Sequence, residues 1–337
     1  MRLQLGYVPL TDAAVLVAAV ERGFTAEEGL EVDLVAEPSW ATLRDRLALG
    51  LLDGAHILAP LALACHLGLS GPQARLIAPA ALARDGNAVT LSLPLWRALD
   101  AASDAVPDVA RALARVAEAR AGEGRPLTLA TVHPFSSHTY QWRRLLALGG
   151  SSLSAVRLVV VPPPRTVEAL ERGLIDGFCV GAPWSSVAVE AGVGRIAALG
   201  VAIAPGCPEK VLALPAEMED RAAPLLRAVR RAARWCGEPG NREALAALLG
   251  HPRHLGLDPA LILRGLSGSL RLAPGGPVVA VGNYIALGEA ELIPDPAALG
   301  WLFAEMAAAG QVEAGHVEAG AGPDAAGLYR ADLLAAA

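Results

Sequence analysis

Lysine is almost absent. Of the 28 basic residues in this 337-residue chain one is a lysine, Lys210, and the other 27 are arginines. Aromatic residues are also scarce, at 4% of the chain, so each tryptophan marks a position that invites a reason. The net charge is −6, which argues against non-specific attraction to nucleic acid, and there is no basic run or aromatic-interleaved patch, so no direct contact with RNA or DNA is expected. The four cysteines, Cys65, Cys179, Cys207 and Cys236, have no CxxC spacing and form no Cys/His pattern of a zinc site. They read as reduced, buried thiols, in keeping with a reducing compartment. A GxSxG elbow, a GxGxxG loop and a GxxxxGK[ST] loop are all missing. His251 and His254 lie in a His-Pro-Arg-His run without a cysteine or further histidine nearby, which reads as a surface loop. The expectation is therefore no catalytic residue, no metal and no cofactor.

What is present is core-forming material. Hydrophobic residues are 53% of the chain, and the length suits two lobes of ordinary domain size. The longest uncharged run, 54–74, reaches membrane-spanning length, but His56, Pro60, His66, Gly68, Gly71 and Pro72 divide it into strand, turn and helix. Residues 1–8 run directly into a first strand, without a basic stretch followed by an apolar one and a small-residue cleavage site. The expectation from this is a cytoplasmic protein with no membrane attachment.

Strand and helix patterns alternate from the start. Strands are expected at 3–8, 31–35, 55–58 and 75–80, with helices at 13–22, 40–51 and 61–69 between them. Thr11 and Asp12 are cap candidates, Thr25-Ala26-Glu27-Glu28 has the form of a capping box, and Ser39 is placed to cap the helix at Trp40. This βαβα order predicts a parallel sheet covered by helices. After a turn at 85–87 come a strand at 88–92 and one long Ala/Arg helix at about 95–120. The rhythm restarts with strands at 127–132, 157–161 and 177–180 and helices at 137–148 and 166–173. A return strand is expected at 210–214, then helices at 224–235 and 242–249, and an Ala/Gly-rich, partly disordered tail from 311. The fold class is α/β, with lobe 1 formed by 1–88 plus 209–337 and lobe 2 by 89–208. The two crossing strands act as a hinge beside a ligand cleft.

Three residues point to an anion. Lys210 survives against a strong arginine bias, and a compact ammonium suits a small anion that cannot fill the bidentate fork of arginine. Trp40 and His138 each stand at an expected helix start, one in each lobe, where unpaired backbone N–H groups and the positive dipole end favour negative charge.

Several runs, 38–45 (Pro-Ser-Trp-Ala-Thr-Leu-Arg-Asp), 159–164 (three valines, then three prolines) and 175–184 (Ile-Asp-Gly-Phe-Cys-Val-Gly-Ala-Pro-Trp), together resemble the nitrate- and bicarbonate-binding proteins of the NrtA/CmpA/NasS type. Pro208-Glu209-Lys210 and Gly86-Asn87-Ala88-Val89-Thr90 fit the same pattern. The resemblance implies a periplasmic-binding-protein-like fold of type II. It implies a ligand set of a tryptophan, an amide, a histidine, a glycine N–H and a lysine, which fall here on Trp40, Asn87, His138, Gly181 and Lys210. Two departures stand out: Ala182 occupies a position where a glutamate is usual, and Asn87 is shorter than the glutamine of some relatives. Bicarbonate binders carry a carboxylate where this chain has Lys210, which favours nitrate or nitrite. With the first strand starting the chain, the resemblance implies a cytoplasmic nitrate/nitrite sensor of the NasS type. Such a sensor holds an RNA-binding antiterminator, NasT-like with an ANTAR domain, and releases it on ligand binding. The alternatives are the substrate-binding protein of a nitrate/nitrite ABC transporter, an enzyme of similar fold such as the thiamine-pyrimidine synthase relatives, whose Cys-rich active loop has no counterpart here, and a scaffold that has lost its ligand.

Overall fold

A computed structural model of the chain describes residues 1–312 and 327–337. The strands in chain order are β1 (Arg2–Tyr7), β2 (Glu31–Ala36), β3 (Gly54–Leu58), β4 (Leu76–Asp85), β5 (Asn87–Ser92), β6 (Leu127–Thr131) and β7 (Val156–Val160). They continue with β8 (Gly177–Gly181), β9 (Gly194–Leu199), β10 (Pro208–Pro215), β11 (Ser269–Arg271), β12 (Val278–Ala280) and β13 (Ile285–Ala286). The chain divides into two compact units. Unit 1 is Met1–Arg84, Pro208–Leu263 and Ala286–Ala337, and unit 2 is Asp85–Cys207 and Arg264–Ile285.

Unit 1 is built on a sheet of order β13-β4-β10-β3-β1-β2. β1 pairs in parallel with β2 and β3, whereas β10 runs antiparallel to β3 and β4. The sheet is therefore mixed, and not purely parallel as the helix–strand alternation implied: β10, which returns to this unit after 85–207, runs antiparallel to both of its neighbours. The helix Trp40–Ala48 packs against β1 at Gly6, where a Cβ would meet Leu43 and Leu52 methyls at 2.5 and 2.6 Å. A side chain here would have to displace those leucine methyls. Ser39 caps the helix, accepting from Thr42 N at 3.2 Å, and Trp40, Leu43 and Leu47 form its buried face. It ends sooner than the apolar pattern suggests, because Gly50 takes φ +70 just past the C-cap. The run 54–74 resolves into β3 and the helix Ala59–His66, and among the described residues no helix is long and apolar enough to cross a membrane.

Unit 2 has a sheet of order β7-β6-β8-β5-β9, again mixed: β6 is parallel to β7 and β8, and β5 is antiparallel to β8 and β9. The helix Ser137–Leu148 has the expected bounds and is pinned to β6 by Trp142 Nε1 donating to Ala130 O at 2.9 Å. The single helix expected at 95–120 is two helices, Leu93–Leu99 and Val106–Gly122. Asp100 turns left-handed at φ 46, and Pro107 opens the second helix. The expected capping box at Thr25 does not form; the helix Phe24–Glu27 follows Gly23 without a side-chain cap.

The chain passes between the units at 84/85 and 207/208, and a second segment, 264–285, which the expectation assigned to lobe 1, falls in unit 2. Its hairpin β11–β12 places Leu270 in one cluster with Ala88, Ala182, Val189, Ile196 and Tyr284. Strands of three residues flanking a Pro-Gly-Gly-Pro turn carry too little periodicity to be seen in the sequence. Of the expected tail, 313–326 lie outside the described residues, and Ala331–Ala336 is helical.

Candidate functional site

Unit 1 holds Trp40 and Lys210 together in a buried polar cluster. Trp40 is the first residue of its helix and wholly buried, and its indole Nε1 has no hydrogen-bond partner. Lys210 Nζ lies 5.5 Å from the Trp40 ring centroid, in range for a cation–π contact. Lys210 is on β10, where Pro208 and Lys210 oppose the adjacent residues Arg84 and Ala83. This bulge breaks the alternation of side chains, which lets the consecutive Glu209 and Lys210 meet at 3.1 Å. The second carboxylate comes from Asp12, in the short turn Thr11–Ala13 after β1, with Oδ2 2.8 Å from Lys210 Nζ. Its other oxygen is 3.0 Å from His56 Nε2 on β3, and the His56 ring is 5.9 Å from that of Trp40. Thr11 Oγ1 is also buried without a partner.

The electrostatics follow from that arrangement. Burial alone would raise the Asp12 carboxyl, but the Lys210 ammonium and His56 more than offset it, and it is pulled down to about 2. Burial works against the charge of Lys210, and Asp12 with Glu209 outweigh it, so the ammonium sits above its ordinary value. The sequence presented Lys210 as a cation held for an anion. In the structure it is instead ion-paired to two carboxylates, because a lone buried ammonium would be too costly.

Unit 2 brings together Asn87, His138 and Gly181. Asn87 opens β5 directly opposite Gly181, the last residue of β8. Its Nδ2 donates to Ser137 Oγ at 3.3 Å, the residue next to His138 in the first turn of the Ser137–Leu148 helix. Ser136 caps that helix, accepting from Thr139 N at 3.2 Å. Asn87 and His138 are fully buried. Gly200 closes on the same place: a Cβ there would meet Asn87 O and Gln141 Nε2, each at 2.9 Å. Cys179 Sγ lies 3.3 Å from Gln141 Oε1, while Gln141 Nε2, Trp184 Nε1 and Ser185 Oγ are buried with no partner.

Sequence reasoning missed Asp12 and His56. Asp12 was read as a cap candidate; it caps no helix and instead grips Lys210. His56 fell inside an apolar run and carried no motif. The pair His251 and His254, weighed as a metal site, is used otherwise: Tyr7 Oη lies 2.9 Å from His254 Nδ1, and Glu21 3.2 Å from its Nε2.

The α/β fold with its mixed sheets matches the structures of periplasmic binding proteins. Residues 1–250 match the NMT1-like family, and the chain belongs to it. It is homologous to the nitrate/nitrite binding protein NrtA of Synechococcus elongatus, 31% identical over 284 residues, or 80% of this chain and 63% of that one. The bicarbonate transport ATP-binding protein CmpC of the same organism is 32% identical over 262 residues, 76% of this chain and 38% of that one. The chain thus spans less than two thirds of either relative's length. The crystal structure of the periplasmic nitrate-binding protein NrtA from Synechocystis PCC 6803 superposes with a TM-score of 0.88 at 26% identity, over 99% of this chain and 87% of that chain.

Proposed function

We propose that this chain is a non-enzymatic binding protein for nitrate or nitrite, acting as the substrate-binding component of an ABC-type importer. The donors proposed in unit 1 are Trp40 and Lys210, and unit 2, taken by itself, offers Asn87, His138 and Gly181 as candidates. The observation that carries this reading is the buried Trp40 indole, an N–H donor with no partner beside the only lysine of the chain. A planar oxyanion satisfies such a donor, takes charge from the ammonium and stacks on a flat aromatic wall. That NrtA relatives are named for nitrate supports the ligand class.

The narrower expectation was a cytoplasmic NasS-type sensor that releases a NasT-like antiterminator. It draws no support from relatives named for binding and transport, so the import reading takes precedence. The sensor reading requires a stable complex with an ANTAR-domain protein that nitrate dissolves.

Nitrate has four heavy atoms, so a ceiling of about 1.5 kcal/mol per atom gives about 6 kcal/mol, or tens of micromolar. Isothermal titration of nitrate, nitrite and bicarbonate in chloride-free buffer tests the reading, beside Lys210→Ala. Micromolar binding of nitrate or nitrite that disappears in the variant is expected. Bicarbonate binding alone, or no binding of any of the three, overturns it.

A further inference from the structure

The cation of unit 1 is already paired. Lys210 contacts Asp12 at 2.8 Å and Glu209 at 3.1 Å, and all three side chains are buried. An incoming anion therefore meets an ammonium whose charge two carboxylates share, and its own negative charge adds to a buried cluster. Something else must supply positive charge as the anion arrives.

We propose that the anion is bound together with a proton, and that His56 carries the proton. This rests on the nitrate/nitrite reading above. His56 is fully buried on β3, and its Nε2 faces the same Asp12 carboxylate that holds Lys210. Its Nδ1 is buried and has no hydrogen-bond partner, so the ring has a nitrogen at which to accept a proton from solvent. An imidazole can hold a proton on each of its two nitrogens, and a carboxylate lies 3.0 Å from the other one. The helix Ala59–His66 that follows β3 ends in another imidazole, but His66 Nδ1 is used, accepting from Leu76 N at 3.1 Å. On β10 stand Lys210 and Glu209, already paired, and in the turn after β1 stands Asp12, held ionised. The Trp40 ring on its helix has no titratable atom. On β1, which pairs with β3, Tyr7 places its hydroxyl against His254 Nδ1, and burial with the nearby Glu21 pushes the phenol up to about 12. His56 gains one proton, one anion is bound, and the net charge of the cluster is unchanged.

The test is calorimetry of nitrate binding to the full chain at pH 7 in phosphate, HEPES and Tris, whose ionisation enthalpies differ. Nitrate itself does not titrate in this range, so any proton exchanged belongs to the protein. The expected result is a heat that changes linearly with buffer ionisation enthalpy, with up to about one proton taken up per nitrate. Kd should rise with pH by at most tenfold per unit. In His56→Gln the buffer dependence and the pH dependence both vanish while nitrate still binds. Asp12→Asn, which relieves Lys210 of one carboxylate, should bind nitrate at pH 8 more tightly than the native protein and take up less than half as many protons. Nitrate binding without buffer dependence overturns the proposal, and so does proton uptake that survives in His56→Gln or is undiminished in Asp12→Asn. No nitrate heat in any buffer overturns the ligand reading itself, and this inference with it.

Discussion

Replacing Lys210 with methionine keeps the length of the side chain and removes its charge, and the cluster geometry sets the consequence. Asp12 and Glu209 remain buried, now without their cation. Breaking a buried ion pair by deleting one partner costs about 3–5 kcal/mol. A second route to the magnitude agrees in order. The Asp12 carboxyl is pulled from 3.8 to about 2, a stabilisation of about 2–3 kcal/mol at neutral pH, and this group is wholly buried. Its folded value is depressed, so that stability is fully present above pH 3.8 and is lost as pH falls through about 2. In Lys210→Met the balance reverses, because burial then dominates and raises both carboxyls. The variant is penalised most at neutral pH, and the penalty is relieved on acidification. Urea denaturation at pH 7 and pH 4, followed by far-ultraviolet circular dichroism, should show a loss of about 3–5 kcal/mol at pH 7 that narrows at pH 4. The double variant Asp12→Asn/Lys210→Met should recover a substantial part of it. A loss below about 1 kcal/mol at pH 7, or a gap that fails to narrow, would refute the assigned pairing.

Trp40→Phe removes the unpaired indole donor and keeps an aromatic ring. Since a hydrogen bond to a charged group is worth about 1.5–3 kcal/mol, nitrate affinity should fall about tenfold or more by calorimetry. Gly200→Ala places a methyl against Asn87 O and Gln141 Nε2. It should cost about 1–3 kcal/mol of stability and weaken nitrate binding together, checked by thermal melting and titration. Ser39→Ala deletes the cap of the Trp40 helix and should cost about 1 kcal/mol in urea denaturation.

How much of this was readable before the coordinates depended on what each residue's signal travels through. Local signals survived. Ser136 caps the Ser137–Leu148 helix, whose bounds are as expected, and Ser39 caps the one that starts at Trp40. Both are chemistry within one turn of chain. Sheet direction did not survive, because apolar alternation is the same in parallel and antiparallel strands, and β5 and β10 turned out antiparallel to their neighbours. The long helix expected at 95–120 failed at Asp100, a residue whose left-handed φ has no strong sequence mark. At the candidate site, Trp40 and Lys210 were legible by rarity and Asn87 and Gly181 by the family pattern. Asp12 and His56 were not legible, since their role exists only where three strands and a turn bring Lys210 to them. The bulge at Glu209 is of the same kind: a register shift across strands leaves no periodicity in either one.

The central claim is that a small oxyanion binds at the Trp40 indole. The chain has six tryptophans, so a ¹H–¹⁵N spectrum of the labelled protein shows few indole signals, and Trp40→Phe identifies the one from Trp40. Titrating nitrate should shift that signal saturably downfield, as the Nε1–H gains an acceptor, while indoles remote from the site hold their positions. A Trp40 signal that stays fixed through millimolar nitrate and nitrite would contradict the account.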